Sequence, residues 1–325
     1  IYIITDNGVY NVADELKEHV INVDINHNEQ FSISTVVDLV DLIIEKLPCK
    51  VITCTTNEVM LAAYLVKRYY PDMIQIISVI HNSNEKVYKE YMEFRECSDI
   101  YVGVSQDIKK EMMFKGIMTK NIYSIVCPFE CPKILKRIYT EERSVPIHIG
   151  YAGRMDGMRH SQKRMDLLIK LIEILVKKDI CFDFALAGDG VARSEMEEIV
   201  CSNHWEEKVH FLGTLEHSEM PNFWKEKDIC INLADYEGRS ISIIEAMGNG
   251  VVPIVTDTSG VNEDIIDDVN GYIVPLGDYK AAAMKIEYLE ANRERLKELG
   301  KEAHDVVYPK SRMKPHLEFW EKILK

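Results

Sequence analysis

Short apolar runs and amphipathic stretches alternate along this chain twice over, and few folds accept that pattern. In the second half, strand-length apolar runs stand at 147–152, 182–187, 209–212, 229–233 and 251–255, with helical spacing at 163–177, 191–201, 218–225, 240–248 and 261–267. The first half repeats the scheme with strand candidates at 1–5, 51–54, 73–80, 100–104 and 122–126, and amphipathic stretches at 9–17, 35–46, 58–69 and 107–115. A strand followed by a helix, repeated, builds a parallel sheet with both faces covered. Pro128, Pro132, the charged run from Lys136 to Arg143, and Pro146 interrupt the alternation and read as a linker. The 325 residues then fit two α/β, Rossmann-like domains of about 150 residues each, 1–143 and 144–309. Residues 279–306 read as largely helical, and one more helix runs from 313 to 324 after Pro309.

Composition narrows the class. With 46% hydrophobic and 28% charged residues the chain reads as a soluble globular protein. No apolar run approaches the roughly 20 residues that span a bilayer, no signal peptide opens the chain, and a cytoplasmic protein is expected. The chain begins at Ile1 without Met, so residues are expected to precede it. A formal charge of −14 argues against a nucleic-acid partner. Eight cysteines are scattered without a Cys-x-x-Cys pair and read mostly as buried thiols of a reducing compartment. Helix 107–115 is basic and carries Met112, Met113 and Phe114. Residues 1–143 nonetheless hold 16 basic against 21 acidic residues, so at most weak peripheral association with the inner membrane face is expected.

The chemistry concentrates between Ala234 and Thr256, where Glu237-Gly238 and Glu245-Ala246-Met247 stand eight positions apart, between the run 229–233 and the run 251–255. Glu237 falls on the loop at the carboxyl end of a strand and Glu245 about two turns into the next helix, which is where open α/β sheets bind ligands. Two carboxylate acceptors suit a ligand rich in hydroxyls, although an acidic residue early in a helix is favoured by the helix dipole in any case. In this setting the sequence resembles the retaining glycosyltransferases of the GT-B fold, family 4, whose donor signature is Glu, seven residues, Glu. The resemblance implies two Rossmann-like domains facing across a cleft, with the segment 310–325 crossing back to the first. It also implies that Glu237 touches the transferred sugar and Glu245 the nucleotide ribose, with Gly238, Arg239 and Ser240 contributing donor contacts.

Other loops fit the same family. Gly153-Arg154 followed by Lys163 resembles its diphosphate-binding loop, an Arg fork and a Lys point charge on one strand-to-helix connection. Lys163-Arg164 stands where the family has Lys-Gly, which leaves both basic residues as candidates. Gly188-Asp189-Gly190 resembles the turn beside the base, and the run from His210 to Gly213 the strand that reads it, giving Gly213 and Thr214 contact roles. His81, after the run 76–80, resembles the family's first-domain His beside the donor sugar. Asp6-Asn7-Gly8 resembles a glycine-rich loop near the donor phosphate, with Gly8 the single glycine left. Ser105 reads as a helix N-cap. No Asp-x-Asp occurs, so no metal and no cofactor are expected beyond a nucleotide-diphosphate sugar, with Arg154 and Lys163 neutralising the phosphates.

The resemblance implies sugar transfer, from a UDP-sugar or related donor to a saccharide or lipid-linked acceptor, with retention at the anomeric carbon and in the service of surface polysaccharide synthesis. Glu237, Arg154, Lys163 and His81 are its catalytic candidates. Two rivals remain at this stage, a GT-B nucleotide-sugar 2-epimerase and a non-catalytic nucleotide-sugar-binding partner.

Overall fold

The structure, a computed structural model, describes residues 3–5, 20–22, 32–54, 58–117, 121–139 and 141–325. Contacts divide it into two units. The first holds the described residues of Ile1–Ile80, Glu85–Gly103 and Lys109–Tyr123, and the second holds His81–Asn84, Val104–Ile108 and Ser124–Lys325.

In the first unit β1 (Ile3–Thr5) pairs in parallel with β2 (Val20–Asn22). A second sheet runs β3 (Cys49–Thr53), β4 (Ile74–Ile80), β5 (Ile100–Gly103), β6 (Ile122–Ser124). Its β3–β4 and β4–β5 pairs are parallel. Helices α1 (Ile33–Glu45), α2 (Glu58–Tyr69), α3 (Glu85–Glu93) and α4 (Gln106–Phe114) alternate with these strands. The strand 20–22 and helix α3 were not foreseen. The strand is three residues long, and α3 offers only Tyr88 and Tyr91 to the interior, too few to mark a helical face in the sequence. On α4 the apolar stripe splits: Ile108 and Met112 are buried, whereas Met113 and Phe114 are exposed.

The second unit is one parallel six-stranded sheet in the order β12-β11-β10-β7-β8-β9. Its strands are β7 (Ile147–Ala152), β8 (Phe182–Ala187), β9 (Val209–Gly213), β10 (Ile229–Asn232), β11 (Val252–Thr256) and β12 (Tyr272–Val274). Helices α5 (Met165–Lys177), α6 (Arg193–Ser202), α7 (Met220–Lys225), α8 (Ile241–Gly248), α9 (Tyr279–Ala291), α10 (Arg293–Val307) and α11 (Met313–Leu324) follow in chain order. The period-2 alternation of each strand sorts side chains by size. Phe182, Phe184, Leu186, Ile229, Ile231, Val252 and Ile254 join one core with α5, α9 and α10. Ala185, Ala187, Cys230 and Val255 face the other core, where Trp224 of α7 and Ile243, Ile244 and Met247 of α8 fill the space that small strand residues leave.

This is the doubly wound strand order, and the direction of winding reverses between β7 and β10. The crevice at their carboxyl ends is therefore where a ligand site is expected, and Gly153 and Asp235 both stand there.

Two expectations need correction. The stretch 261–267 forms only a 3-10 turn, Val261–Glu263, because the Asn270 side chain accepts from Ile266 N at 2.7 Å and donates to Asp264 O at 2.8 Å, taking groups a helix would use. The segment 279–306, read as largely helical, is two helices that meet at Asn292, whose backbone leaves the helical region and starts α10. Only Cys97 and Cys230 are buried; Cys54 and Cys201 are exposed and the other four are half-buried. Among the described residues no helix is long and apolar enough to cross a membrane.

Candidate active site

A cleft of about 570 Å³ opens in the second unit at the carboxyl edge of its sheet, lined among others by Gly153, Arg154, Lys163, Gly188, Ser240 and Glu245. It sits at the β7/β10 switch, so four loops reach it: those after β7, β8, β9 and β10.

At its centre Lys163 Nζ donates to Glu237 Oε1 at 2.5 Å. Both residues are under 10% exposed. Glu237 is held from two more directions, by Asn232 Nδ2 on Oε1 at 3.1 Å and by Gln162 Nε2 on Oε2 at 3.3 Å. Asn232 ends β10 and is itself fixed, its Oδ1 accepting from Ala234 N at 3.0 Å. Arg164, the other basic candidate, turns away: it pairs with Asp166 at 2.9 Å and Asp235 at 2.9 Å. The structure thus gives Lys163 to the cleft and Arg164 to the loop scaffold.

Arg154 sits at the rim with 70% of its side chain exposed, its Nη2 2.9 Å from Gln162 Oε1 and 3.6 Å from Asp156. Tyr151, buried on β7, donates its hydroxyl to Arg154 O at 2.7 Å and so ties down the loop that carries the guanidinium. The next loop lies close against this one. Gly153 N donates to Ala187 O at 3.0 Å, Gly188 N donates to Gly213 O at 2.7 Å, and a Cβ on Gly188 would overlap the Gly153 carbonyl. Gly213 is therefore a backbone support of the Gly188 turn, while Thr214 and Leu215 beyond it line the cleft.

Ser240 is the N-cap of α8, yet its hydroxyl lies 3.1 Å from that of Ser242 and, among the described residues, no side chain caps the helix. The first-turn amides, left without a side-chain acceptor, are suited to an anion. Arg239 lines the cleft, but its guanidinium is engaged with Asp264 at 2.6 Å and Glu263 at 3.8 Å. Gly238 packs on the backbone of His81, whose carbonyl a Cβ there would overlap, and Ser83 Oγ donates to Glu237 O at 2.6 Å. The His81 side chain is exposed and is not part of the cleft lining. Gly8 lies outside the described residues.

Glu245 lies 3.6 Å from His217 Nδ1 at the far end of the cleft. Burial pushes its carboxyl above the ordinary value, His217 pulls the other way, and Glu130 adds to the rise. A raised folded-state value means the folded chain keeps a proton that the unfolded chain releases. That contribution is present below the ordinary carboxylate range and is lost as pH rises through the folded value. Glu245→Gln is therefore expected to stabilise the protein at pH 8, with the gain fading as pH falls to 4; urea midpoints across that range would show it, and a gain independent of pH would contradict it.

Gln162, Asn232, Tyr151 and His217 were not among the expected site residues. Asn232 carried a readable signal, a polar residue at the carboxyl end of an otherwise apolar strand.

Residues 146–306 match the family described as glycosyl transferases group 1. Over this segment the chain belongs to that family. Its fold class is GT-B: the solved structure of HepE (Alr3699) from Anabaena with UDP and glucose superposes with a TM-score of 0.75 at 15% identity, covering 95% of this chain and 88% of that one. The poly(ribitol-phosphate) α-N-acetylglucosaminyltransferase of Staphylococcus aureus (strain COL) is 27% identical over 200 residues, 57% of this chain and 39% of that protein. The N-acetyl-α-D-glucosaminyl L-malate synthase of Bacillus anthracis is 24% identical over 279 residues, 81% of this chain and 71% of that protein. The chain thus spans about two fifths of the first relative's length.

Proposed function

We propose that this chain transfers a sugar from a nucleotide-diphosphate sugar, a uridine conjugate by preference, to a hydroxyl acceptor with retention of anomeric configuration. One observation carries the reading: a buried lysine and a buried glutamate meet in the cleft at the switch point, beside an arginine at the rim and an uncapped helix N-terminus. On this reading the free site is closed on itself. Donor binding opens the Lys163–Glu237 pair, giving Lys163 to the diphosphate and Glu237 to the sugar hydroxyls. Arg154, exposed at the rim, completes the clamp. Glu245 then takes the ribose, a neutral ligand that suits a carboxylate whose burial disfavours its charge.

As the glycosidic bond breaks, negative charge grows on the leaving diphosphate. Lys163, Arg154 and the first turn of α8 oppose it without a metal, which is electrostatic catalysis. The diphosphate oxygen then serves as base for the acceptor hydroxyl, delivered from the same face. The named relatives join N-acetylglucosamine to poly(ribitol phosphate) and to malate, which supports a hexosyl donor and a hydroxyl acceptor in surface-polysaccharide or glycoconjugate synthesis.

A thermal-shift series with UDP, GDP and ADP and their sugar conjugates, with and without EDTA, tests the donor site. A ligand at about 100 times its dissociation constant adds about 2.7 kcal/mol of stability. A rise with uridine nucleotides that survives EDTA is expected; no rise with any nucleotide would sink the reading. With a working donor and acceptor, NMR of the product should show the donor's own anomeric configuration.

A further inference from the structure

Gln162 stands between the two charged groups that the site has to keep apart. Its Oε1 accepts from Arg154 Nη2 at 2.9 Å, and its Nε2 donates to Glu237 Oε2 at 3.3 Å and to Tyr236 O at 3.0 Å. Only one orientation of the amide satisfies all three bonds, because the guanidinium needs an acceptor and the carboxylate and carbonyl need donors. The backbone repeats the link, with Asp235 N donating to Gln162 O at 2.9 Å. The loop after β7 and the loop after β10 are thus joined through one residue by main chain and by side chain.

We propose that Gln162 is a positioning residue: its neutral amide spaces the rim arginine from the central carboxylate and fixes the face each presents to the donor. Without it, the half-free Arg154 can fold onto Glu237, and both groups are withdrawn at once from a ligand. With it, Arg154 is satisfied by a neutral acceptor that a diphosphate oxygen readily outcompetes, since hydrogen bonds between ionised groups are the stronger ones. Glu237 meanwhile keeps its Oε1 on Lys163 and Asn232 and its Oε2 on Gln162. This role rests on the donor-site reading above. Among the described residues the charged side chains at position 162 are Arg154 and Glu237, with Lys163 next in the chain and Asp156 3.6 Å from Arg154.

Two variants separate the role from simple packing. Gln162→Ala removes the spacer; Gln162→Glu keeps the shape but sets a second carboxylate against Glu237 and the Tyr236 carbonyl. The expected result at pH 8 is a fall in kcat of between about tenfold and 10²-fold for Gln162→Ala, as for misplaced reacting groups. The fall is larger for Gln162→Glu, while UDP affinity falls by much less than kcat in both variants and the melting temperature of Gln162→Ala stays with the wild type. Protonating Glu at position 162 makes it a neutral acceptor and donor again, so the ratio of Gln162→Glu to wild-type activity should climb as pH is lowered from 8 to 5. A flat ratio, a Gln162→Glu variant as active as Gln162→Ala, or UDP affinity falling in step with kcat would overturn the spacer role. A wild type that neither binds UDP nor turns over any nucleotide sugar overturns the donor-site reading and this role with it. Normal wild-type turnover with unaffected variants overturns this role alone.

Discussion

Lys163→Met is expected to lower donor turnover by about 10²–10³-fold, as loss of one charge-stabilising donor does elsewhere, and separately to destabilise the protein by about 3–5 kcal/mol, the usual penalty for orphaning a buried charge. The second effect follows from the pairing. Lys163 and Glu237 have side chains only 11% and 8% exposed, so methionine in place of lysine leaves a carboxylate with little access to water. The Asn232 and Gln162 amides stay on it and place the loss toward the lower end of the range. Glu237→Gln orphans the lysine in turn. The two effects separate in the double variant, Lys163→Met with Glu237→Gln. A buried ion pair replaced by neutral residues of similar size is often no less stable, so urea midpoints should recover most of the loss, while turnover stays as low as in the worse single variant. A double variant whose losses simply add would show that the pair is not coupled, since groups in direct contact depart from additivity.

The same pair marks how far the sequence could be read. Strands 147–152 and 182–187 and helix 313–324 match the structure end for end, because each is a clean apolar run or a full amphipathic period. Glu237 and Glu245 were legible because strand, Glu-Gly and Glu-Ala-Met occur in one short order. What joins them to the rest was not. Lys163 and Glu237 are 74 positions apart, and nothing local in either segment says that the loops after β7 and β10 converge. That follows from the strand order, which places β7 beside β10 although two strands intervene in the chain. Gln162 was invisible for another reason: a single amide has no period and no charge, and its meaning comes from which groups it finds on either side. Arg239 misleads in the opposite direction. In the sequence it is a cation inside the donor signature; in the fold Asp264 and Glu263 occupy its guanidinium and Lys310 shares Asp264 at 2.8 Å.

Gly188→Ala is expected to lose both stability and nucleotide binding. Two separate penalties meet at this residue, and a control can part them. Its φ of +136° lies where a side chain is strained, and its Cβ would overlap the Gly153 carbonyl. Alanine at a positive φ destabilises by more than the ~0.4–1 kcal/mol it gains elsewhere, and overpacking against backbone adds about 1–3 kcal/mol, since a carbonyl cannot rotate aside as a side chain can. Gly277 has a positive φ of +76° as well, but a Cβ there meets nothing within 4 Å. Gly277→Ala carries the milder strain of a left-handed backbone without the overlap, and the difference in urea midpoint between the two variants measures the overlap together with the greater strain at +136°. Relief can come only by moving the loop that carries Arg154 off the end of β8, breaking the Gly153 N to Ala187 O bond and opening the Gln162 link behind it. UDP affinity should accordingly fall in the folded fraction of Gly188→Ala and hold in Gly277→Ala. Equal stability losses in the two variants, with UDP binding intact in both, would mean the two loops can part without disturbing the cleft, and the close approach of Gly188 to Gly153 would have no bearing on the donor site.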